Sequence, residues 1–423
     1  MAQPKIGISD IALYFPQARI DLSTIIDFRV SQDPNLDRKL RRAVDSTGQK
    51  AIRFPAPWED VVCLAGDAAL ALLRDKTPDQ LAHIRHLAVG SETGIDHSKS
   101  ISAYVQGMLV KAGIALKRTH SSFQVQHACA GGTIALLSVA SLLQTGGRTD
   151  ENGVVVCSDI ARYEVPSSAE FTQGAGAAAM LVEHNPALIE LDLASVGYSS
   201  ADVDDFFRPL GSVTAKVKGQ YSMKCYNEAT EEAFLDHCSR LGTNPAAELA
   251  SCDYFVFHVP FARMAYTAVR HLITGHLGLL DGEVDDYLQP RGFFEALEPT
   301  AQVGNIYTGA AFLNLAALLS GRWKAHGDGI IGKKILFCSY GSGNTMIVMT
   351  ATIAQGAPSV IAKWDLDKVL GDQYPASFKD YLDWVKPEGA DYNSRVANLA
   401  IPPGRFYLSG IREDGYREYS IKQ

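Results

Sequence analysis

The chain lacks the features that would mark it as disulfide-stapled, zinc-bound, membrane-spanning or nucleic-acid-binding. Its seven cysteines in 423 residues form no CxxC pair and no regular spacing. The sequence therefore offers neither a disulfide framework nor a structural zinc site. No apolar run reaches about 18 residues, the length a span requires, and MAQPKIGISDIALYFP at the start has no apolar signal core. A reduced, cytoplasmic protein is expected. Basic residues are not in excess: 39 Lys and Arg against 47 Asp and Glu leave a formal charge of −8. That balance suits solubility and argues against a nucleic-acid surface. GAGAAAM (174–180) lacks the GxGxxG spacing and reads as tight packing, and His271 and His276 are too far apart for an HExxH zinc site. No Pro/Ser-rich linker divides the chain.

What is present is ordinary globular composition, 47% hydrophobic and 20% charged. The length predicts two or three domain-sized units. Residues 5–16 read as a strand ending at Pro16. Trp58 to Asp75 reads as a helix, with Glu59 and Asp60 near its start and Val62, Ala65, Ala69, Leu72 and Leu73 on one stripe. His86–Gly90, Val154–Cys157, Phe255–His258 and Ile335–Cys338 read as short strands.

The most informative feature is an internal repeat. QVQHACAGGTIALLSVASLL (124–143) resembles QVGNIYTGAAFLNLAALL (302–319), and each copy is followed by an apolar strand, VVVCSD and ILFCSY. A repeat about 180 residues apart is a duplicated domain rather than a solenoid. Helices apolar on nearly every face are buried, so the two repeat helices predict a layered α/β body with helices between two sheets. Strands as apolar as VVVCSD and ILFCSY are expected to be buried on both faces. Their edges would need a two-fold partner as cover, which predicts a homodimer.

Four positions stand out chemically. Cys129, in HACAGGT before an apolar helix, is where helix-terminal amides would lower a thiol's pKa and make it nucleophilic; a buried core cysteine is the plain alternative. His258 ends the run YFVFHVPF next to Pro260. A satisfied core histidine is the alternative there. Asn305 occupies the repeat position corresponding to the neighbourhood of Cys129, so pseudo-symmetry would gather Cys129, His258 and Asn305. Glu92, in GSETGID directly after HLAVG, sits where an active-site carboxylate is expected, and enclosure would raise its pKa. The Gly-rich SYGSG (339–343) can bring backbone amides to a ligand.

Together these motifs resemble the 3-hydroxy-3-methylglutaryl-CoA synthases and their polyketide β-branching relatives, over nearly the whole chain. GSETGIDHSKS, HACAGGT, SDIARY, FTQGAGAAAMLV, FHVPF, GNIYTGA, SYGSG and FYLSGI…GYREY follow in the family's order. The resemblance implies a thiolase-like five-layered αβαβα fold from two duplicated halves. Residues 1–185 would hold the nucleophile and 186–356 the His and Asn, while 357–423 would add a helical appendage and a final strand. It implies catalysis by Glu92, Cys129 and His258. Substrate contacts would come from Asn305, Ser342, Tyr163, Thr172 and Arg263, with no metal and no cofactor beyond the thioester substrates.

The implied reaction condenses an acyl group carried on Cys129 with a 3-oxoacyl thioester. Glu92 removes the methyl proton, His258 polarises and protonates the ketone, and water then frees the product. Partners would be acyl-CoA substrates and, in the β-branching alternative, an acyl-carrier protein. A ketoacyl synthase III-type enzyme and a non-catalytic acyl-thioester-binding protein are further alternatives. Three residues depart from the family pattern. Ala130 stands where Tyr is usual, which would enlarge the acyl pocket; His127 stands where Asn or Gln is usual, and Arg263 where Lys is usual.

Overall fold

The apolar runs pair into one ladder in the computed structural model, which describes residues 4–386, 393 and 399–423. Ten strands take part: β1 (Ile6–Tyr14), β2 (Ile84–Gly90), β3 (Ser121–Val125), β4 (Asn152–Ala161), β5 (Gly174–His184), β6 (Ile189–Leu191), β7 (Gly197–Ser200), β8 (Tyr254–Phe257), β9 (Lys334–Gly341) and β10 (Thr345–Ile353). The spatial order is β8-β9-β10-β6-β1-β5-β4-β2-β3, and β7 also pairs with β10. In the first half β4, β2 and β3 are mutually parallel, β5 runs antiparallel to β4, and β1 runs antiparallel to β5. In the second half β8 is parallel to β9, and β9 is antiparallel to β10. The short β6 joins the halves by pairing with both β1 and β10.

Side-chain alternation along the strands builds the layers. In β4, Val154 and Val156 pack outward with helices α1 (Val61–Leu73) and α2 (Ile101–Lys111). Val155 and Cys157 pack inward. In β9, Ile335 and Phe337 join that same inner cluster, while Leu336 and Cys338 pack against α4 (Gly219–Leu241) and α5 (Ala262–Leu277). The inner cluster holds the two repeat helices, α3 (Gly131–Gly146) and α6 (Ala310–His326). The sequence of layers is α1/α2, sheet, α3/α6, sheet, α4/α5: the expected αβαβα arrangement.

Both repeat strands are buried on both faces, as their composition predicts. Their edges are not open, however. β4 lies between β5 and β2, and β9 between β8 and β10. The ends of the ladder are β3 and β8 instead. The repeat is also less symmetric than its sequence: Gln124 and Val125 end a strand, whereas Gln302 and Val303 end the helix Phe293–Val303. One run exceeds the expected span length. Ala128–Gly146 is long and apolar enough to cross a membrane by composition, but 61% of it is buried inside the fold as α3 and its lead-in.

The α1 helix starts one turn later than Trp58 because Asp60 caps it, accepting from the Val62 and Cys63 amides. Asp60 also accepts from Arg417 Nη1 at 3.0 Å and Tyr419 Oη at 2.7 Å, tying the C-terminal hairpin Phe406–Ile411/Arg417–Ile421 to the first half. The expected appendage contains the helices Ala357–Ile361, Leu366–Gly371 and Phe378–Val385. Its stretches 387–392 and 394–398 lie outside the described residues.

Candidate active site

Parallel strands place the expected residues at one end of the sheet, where strand termini and helix starts meet. Glu92 follows β2, Cys129 lies between β3 and α3, His258 follows β8, and Ser342 follows β9. Two close backbone approaches bring these loops together. A methyl at Gly90 would stand 2.4 Å from Gly132 Cα, so β2 can end against the start of α3 only as glycine. A methyl at Gly341 would stand 2.5 Å from the His127 carbonyl oxygen and 2.8 Å from Ala130 Cβ. The Ser342 turn of the second half thus closes on the nucleophile segment of the first.

Cys129 Sγ donates to Glu92 Oε1 at 3.2 Å. The residue before it, Ala128, has φ +40°, and Tyr307 in the second repeat has φ +43°. Left-handed backbone at a non-glycine residue is strained and collects at functional turns. The thiol's pKa is not lowered, as its place before a helix suggested. Burial pushes it well up, and the Glu92 carboxylate adds to that. α3 begins only at Gly131, with Ala130 as its cap, so desolvation outweighs the helix end. Glu92 behaves as expected: burial and the neighbouring Asp159 push it up to about 8, against the lowering pull of Arg208 and Cys129.

His258 is buried, and burial alone brings it down to about 3. It is a neutral imidazole at ordinary pH. Its amide donates to the Cys338 carbonyl at 2.8 Å, and Tyr226 Oη donates to its carbonyl at 2.9 Å. Asn305 is buried between two anchors. Its amide donates to the Thr172 carbonyl at 3.3 Å, and its Oδ1 accepts from the Tyr307 amide at 2.8 Å. Thr172 spends its hydroxyl on the Ala169 carbonyl, so its part in the site is that backbone anchor. Tyr163 packs with Cys129, Phe206 and Tyr307, and its hydroxyl is hydrogen-bonded by Asn305. Arg263 stands apart, exposed at the start of α5 beside Gly48.

Ala130 does not open a chamber beside Cys129. It is fully buried, with its methyl facing Gly341. The aromatic wall next to the thiol comes from Tyr163, Phe206 and Tyr307 instead. A cavity of about 440 Å³ lined by Asp10, Leu72, Lys76, Trp364 and their neighbours shares no residue with this site.

Two buried carboxylates and a half-buried arginine that sequence reasoning missed hold the site together. Asp159, fully buried in β4, accepts with Oδ1 from the amides of Glu92 (2.9 Å) and Thr93 (3.0 Å) and the hydroxyls of Ser91 (3.1 Å) and Thr93 (2.7 Å). Its Oδ2 accepts from the Thr308 amide at 3.1 Å and the Thr308 hydroxyl. Asp205 accepts from the Gly343 amide (2.8 Å), Tyr340 Oη (3.0 Å) and Ser222 Oγ (2.9 Å), fixing the closing turn. Arg208 donates to the Glu92 carbonyl at 3.0 Å and faces its Oε2 at 3.5 Å. The available signal was a charged residue next to apolar ones, as in VVVCSDIA and DDFFRP.

Residues 3–187 match the family described as Hydroxymethylglutaryl-coenzyme A synthase N terminal, and residues 294–422 match its C-terminal counterpart. The Hydroxymethylglutaryl-CoA synthase of Haloferax volcanii is 29% identical over 98% of both chains. Among solved structures, MvaS in complex with 3-hydroxy-3-methylglutaryl coenzyme A is 31% identical with a TM-score of 0.84, over 99% of this chain and 100% of that one. The curacin biosynthetic pathway HMG synthase in complex with acetyl donor-ACP is 25% identical with a TM-score of 0.84, over the same shares.

Proposed function

Because the chain belongs to the hydroxymethylglutaryl-coenzyme A synthase family and is a condensing acyltransferase, we propose the following division of its reaction among the residues at Cys129. The observation that carries it is the 3.2 Å contact between Cys129 Sγ and a Glu92 whose carboxyl is pushed up to about 8. A carboxylate that titrates near working pH and touches the acyl-bearing sulfur is placed to take a proton from the carbon next to that thioester.

Cys129 exchanges its thiol for the donor's, so the Sγ proton ends on the departing thiol and the step is proton-neutral. Glu92 then takes a methyl proton from the bound acyl group. The amides of Cys129 and Ser342, in turns held close by Gly341, would receive the oxygen that gains charge, since those of Ala130, Gly131 and Gly343 are already spent on protein acceptors. The carbanion adds to the ketone of the acceptor, and the alkoxide that forms takes the proton Glu92 removed, relayed through His258, so the product carries a hydroxyl and Glu92 is again a carboxylate. His258, kept neutral by burial, polarises that ketone as an N–H donor rather than as an imidazolium. Asn305 and Tyr163 border the acyl group, and Thr172 acts by fixing Asn305. Ser342 contributes its turn. Water then cleaves the Cys129 thioester. No cofactor enters these steps; the thioesters are substrates.

Arg263 lies on the exposed rim, suited to the phosphate that coenzyme A and a carrier protein's phosphopantetheine share. Both acceptors fit the family. A homodimer is the proposed assembly. Its support is the outer edge of β3, which among the described residues pairs with β2 alone and carries exposed Ser121 and Ser122. Sedimentation at micromolar concentration should give the dimer mass. The test of the chemistry is the intact mass after incubation with acetyl-CoA: one acetyl group should be gained by the wild type and by neither Cys129→Ala nor Cys129→Ser. Acetylation of either variant would remove the nucleophile assignment.

A further inference from the structure

Arg208 carries more donors than the resting site uses. Its side chain is 14% exposed and Glu92's is 6%. Nη1 donates to the Glu92 carbonyl at 3.0 Å, but Nε and Nη2 are buried without a hydrogen-bond partner. Nη2 lies 3.5 Å from Glu92 Oε2, within ion-pair range but outside hydrogen-bond geometry. The guanidinium lies over the Tyr307 ring, 5.7 Å from its centroid, and Tyr307 packs against Cys129. Buried N–H groups of a purely structural arginine are mostly satisfied, and among the described residues Arg208 is the arginine with two buried nitrogens lacking a hydrogen-bond partner. Nη2 lies beside the Glu92 carboxyl that touches Cys129 Sγ, the atom that carries the acyl group in the reaction read above.

The reaction read above, on which this inference rests, ends by moving a negative charge onto a group that the resting enzyme does not hold. Water attacks the acyl carbon on Cys129 and passes one proton to the Glu92 carboxylate. The C–S bond breaks, and Sγ takes the remaining hydroxyl proton and becomes a thiol again. The product leaves as a carboxylate and Glu92 is left neutral, so one negative charge has moved from Glu92 to the product. A planar carboxylate is the partner a guanidinium fork fits best. Two ionised carboxylates could not share this enclosed place.

We propose that Arg208 is a catalytic residue of the hydrolytic step, its unused N–H donors receiving the carboxylate released from Cys129 as Glu92 takes up the proton. The nascent charge is thereby stabilised where it forms.

The experiment is a single turnover followed by intact mass. Wild type, Arg208→Ala and Arg208→Lys are charged with acetyl-CoA, mixed with acetoacetyl-CoA and quenched over time. Arg208→Ala should still acquire the acetyl group and the condensed product on Cys129. Breakdown of that condensed adduct should slow by roughly 10²-fold, the usual cost of one donor at a developing oxyanion. Free guanidinium should restore it in Arg208→Ala, and Arg208→Lys should fall between. In a second readout, glutarate should slow iodoacetamide labelling of Cys129 in the wild type and not in Arg208→Lys. Adduct breakdown at the wild-type rate in Arg208→Ala would overturn the proposal. So would an equal loss of acylation and breakdown, which would reduce Arg208 to holding the Glu92 loop. A wild type that gains no acetyl group would instead overturn the reading of Cys129 beneath it.

Discussion

The elevated carboxyl of Glu92 can be tested by pH alone. Burial beside Asp159 moves it from 4.5 to about 8. At pH 7 about a tenth of the enzyme then carries the base, and at pH 9 about nine-tenths does, so carbon deprotonation should rise by roughly tenfold across that range. Acetyl-Cys129 enzyme in D2O isolates the step. Deuterium entering the acetyl methyl, read by mass spectrometry of the Cys129 peptide, reports proton abstraction without an acceptor. The same shift is a stability statement. Between pH 4.5 and 8 the unfolded chain gives up a proton that the folded protein keeps, so folding weakens over that window and levels off above it. The cost reaches about 4–5 kcal/mol at one and a third kcal/mol per pKa unit. Glu92→Gln should therefore lose methyl exchange but resist urea better than wild type at pH 9, with little difference near pH 4. It should still acylate, because the charge that opposes a Cys129 thiolate is gone. Exchange that is flat above pH 6, or half-maximal near 4.5, would refute the argument.

Three further outcomes follow from the geometry. His258→Ala should lower the use of the acceptor ketone far more than acetylation of Cys129, and condensation in the wild type should show no titration from an imidazole near pH 6.5, since burial keeps this one neutral. Asp159→Asn replaces one acceptor oxygen with an NH2 donor that faces the N–H and O–H groups the carboxylate accepted from. It should cost about 2–4 kcal/mol in urea unfolding and move the methyl-exchange profile to lower pH, because the charge raising Glu92 is removed. Arg263→Ala should raise KM for the acyl donor by up to about fivefold, an effect that fades with added salt, and leave kcat unchanged.

The strands with the strongest apolar runs were legible in the sequence because burial on both faces leaves no polar alternation to confuse them. Short β6 and β7 were not, since three or four residues carry no periodicity, and β6 proves to be the seam between the halves. The meeting of Cys129 and Glu92 was legible through motif context. Asp159, Asp205 and Arg208 were not, because a charge inside a hydrophobic run reveals its purpose only when its partners arrive from distant loops. The thiol's pKa was misjudged for the same reason. A helix end is visible in sequence, whereas the desolvation and the carboxylate that outweigh it are tertiary facts. The suggestion of space at Ala130 failed because Gly341, far along the chain, already lies against it.

Asp159 gives one oxygen to the Glu92 loop and the other to Thr308 in the second repeat. A chain that has left the ribosome only through its first half already owns Cys129 and Glu92. It lacks the Thr308 donors, the Gly341 turn and His258. Competence is thus deferred until synthesis is nearly finished, and a truncation within the second half should yield an inert thiol instead of a leaky thioesterase.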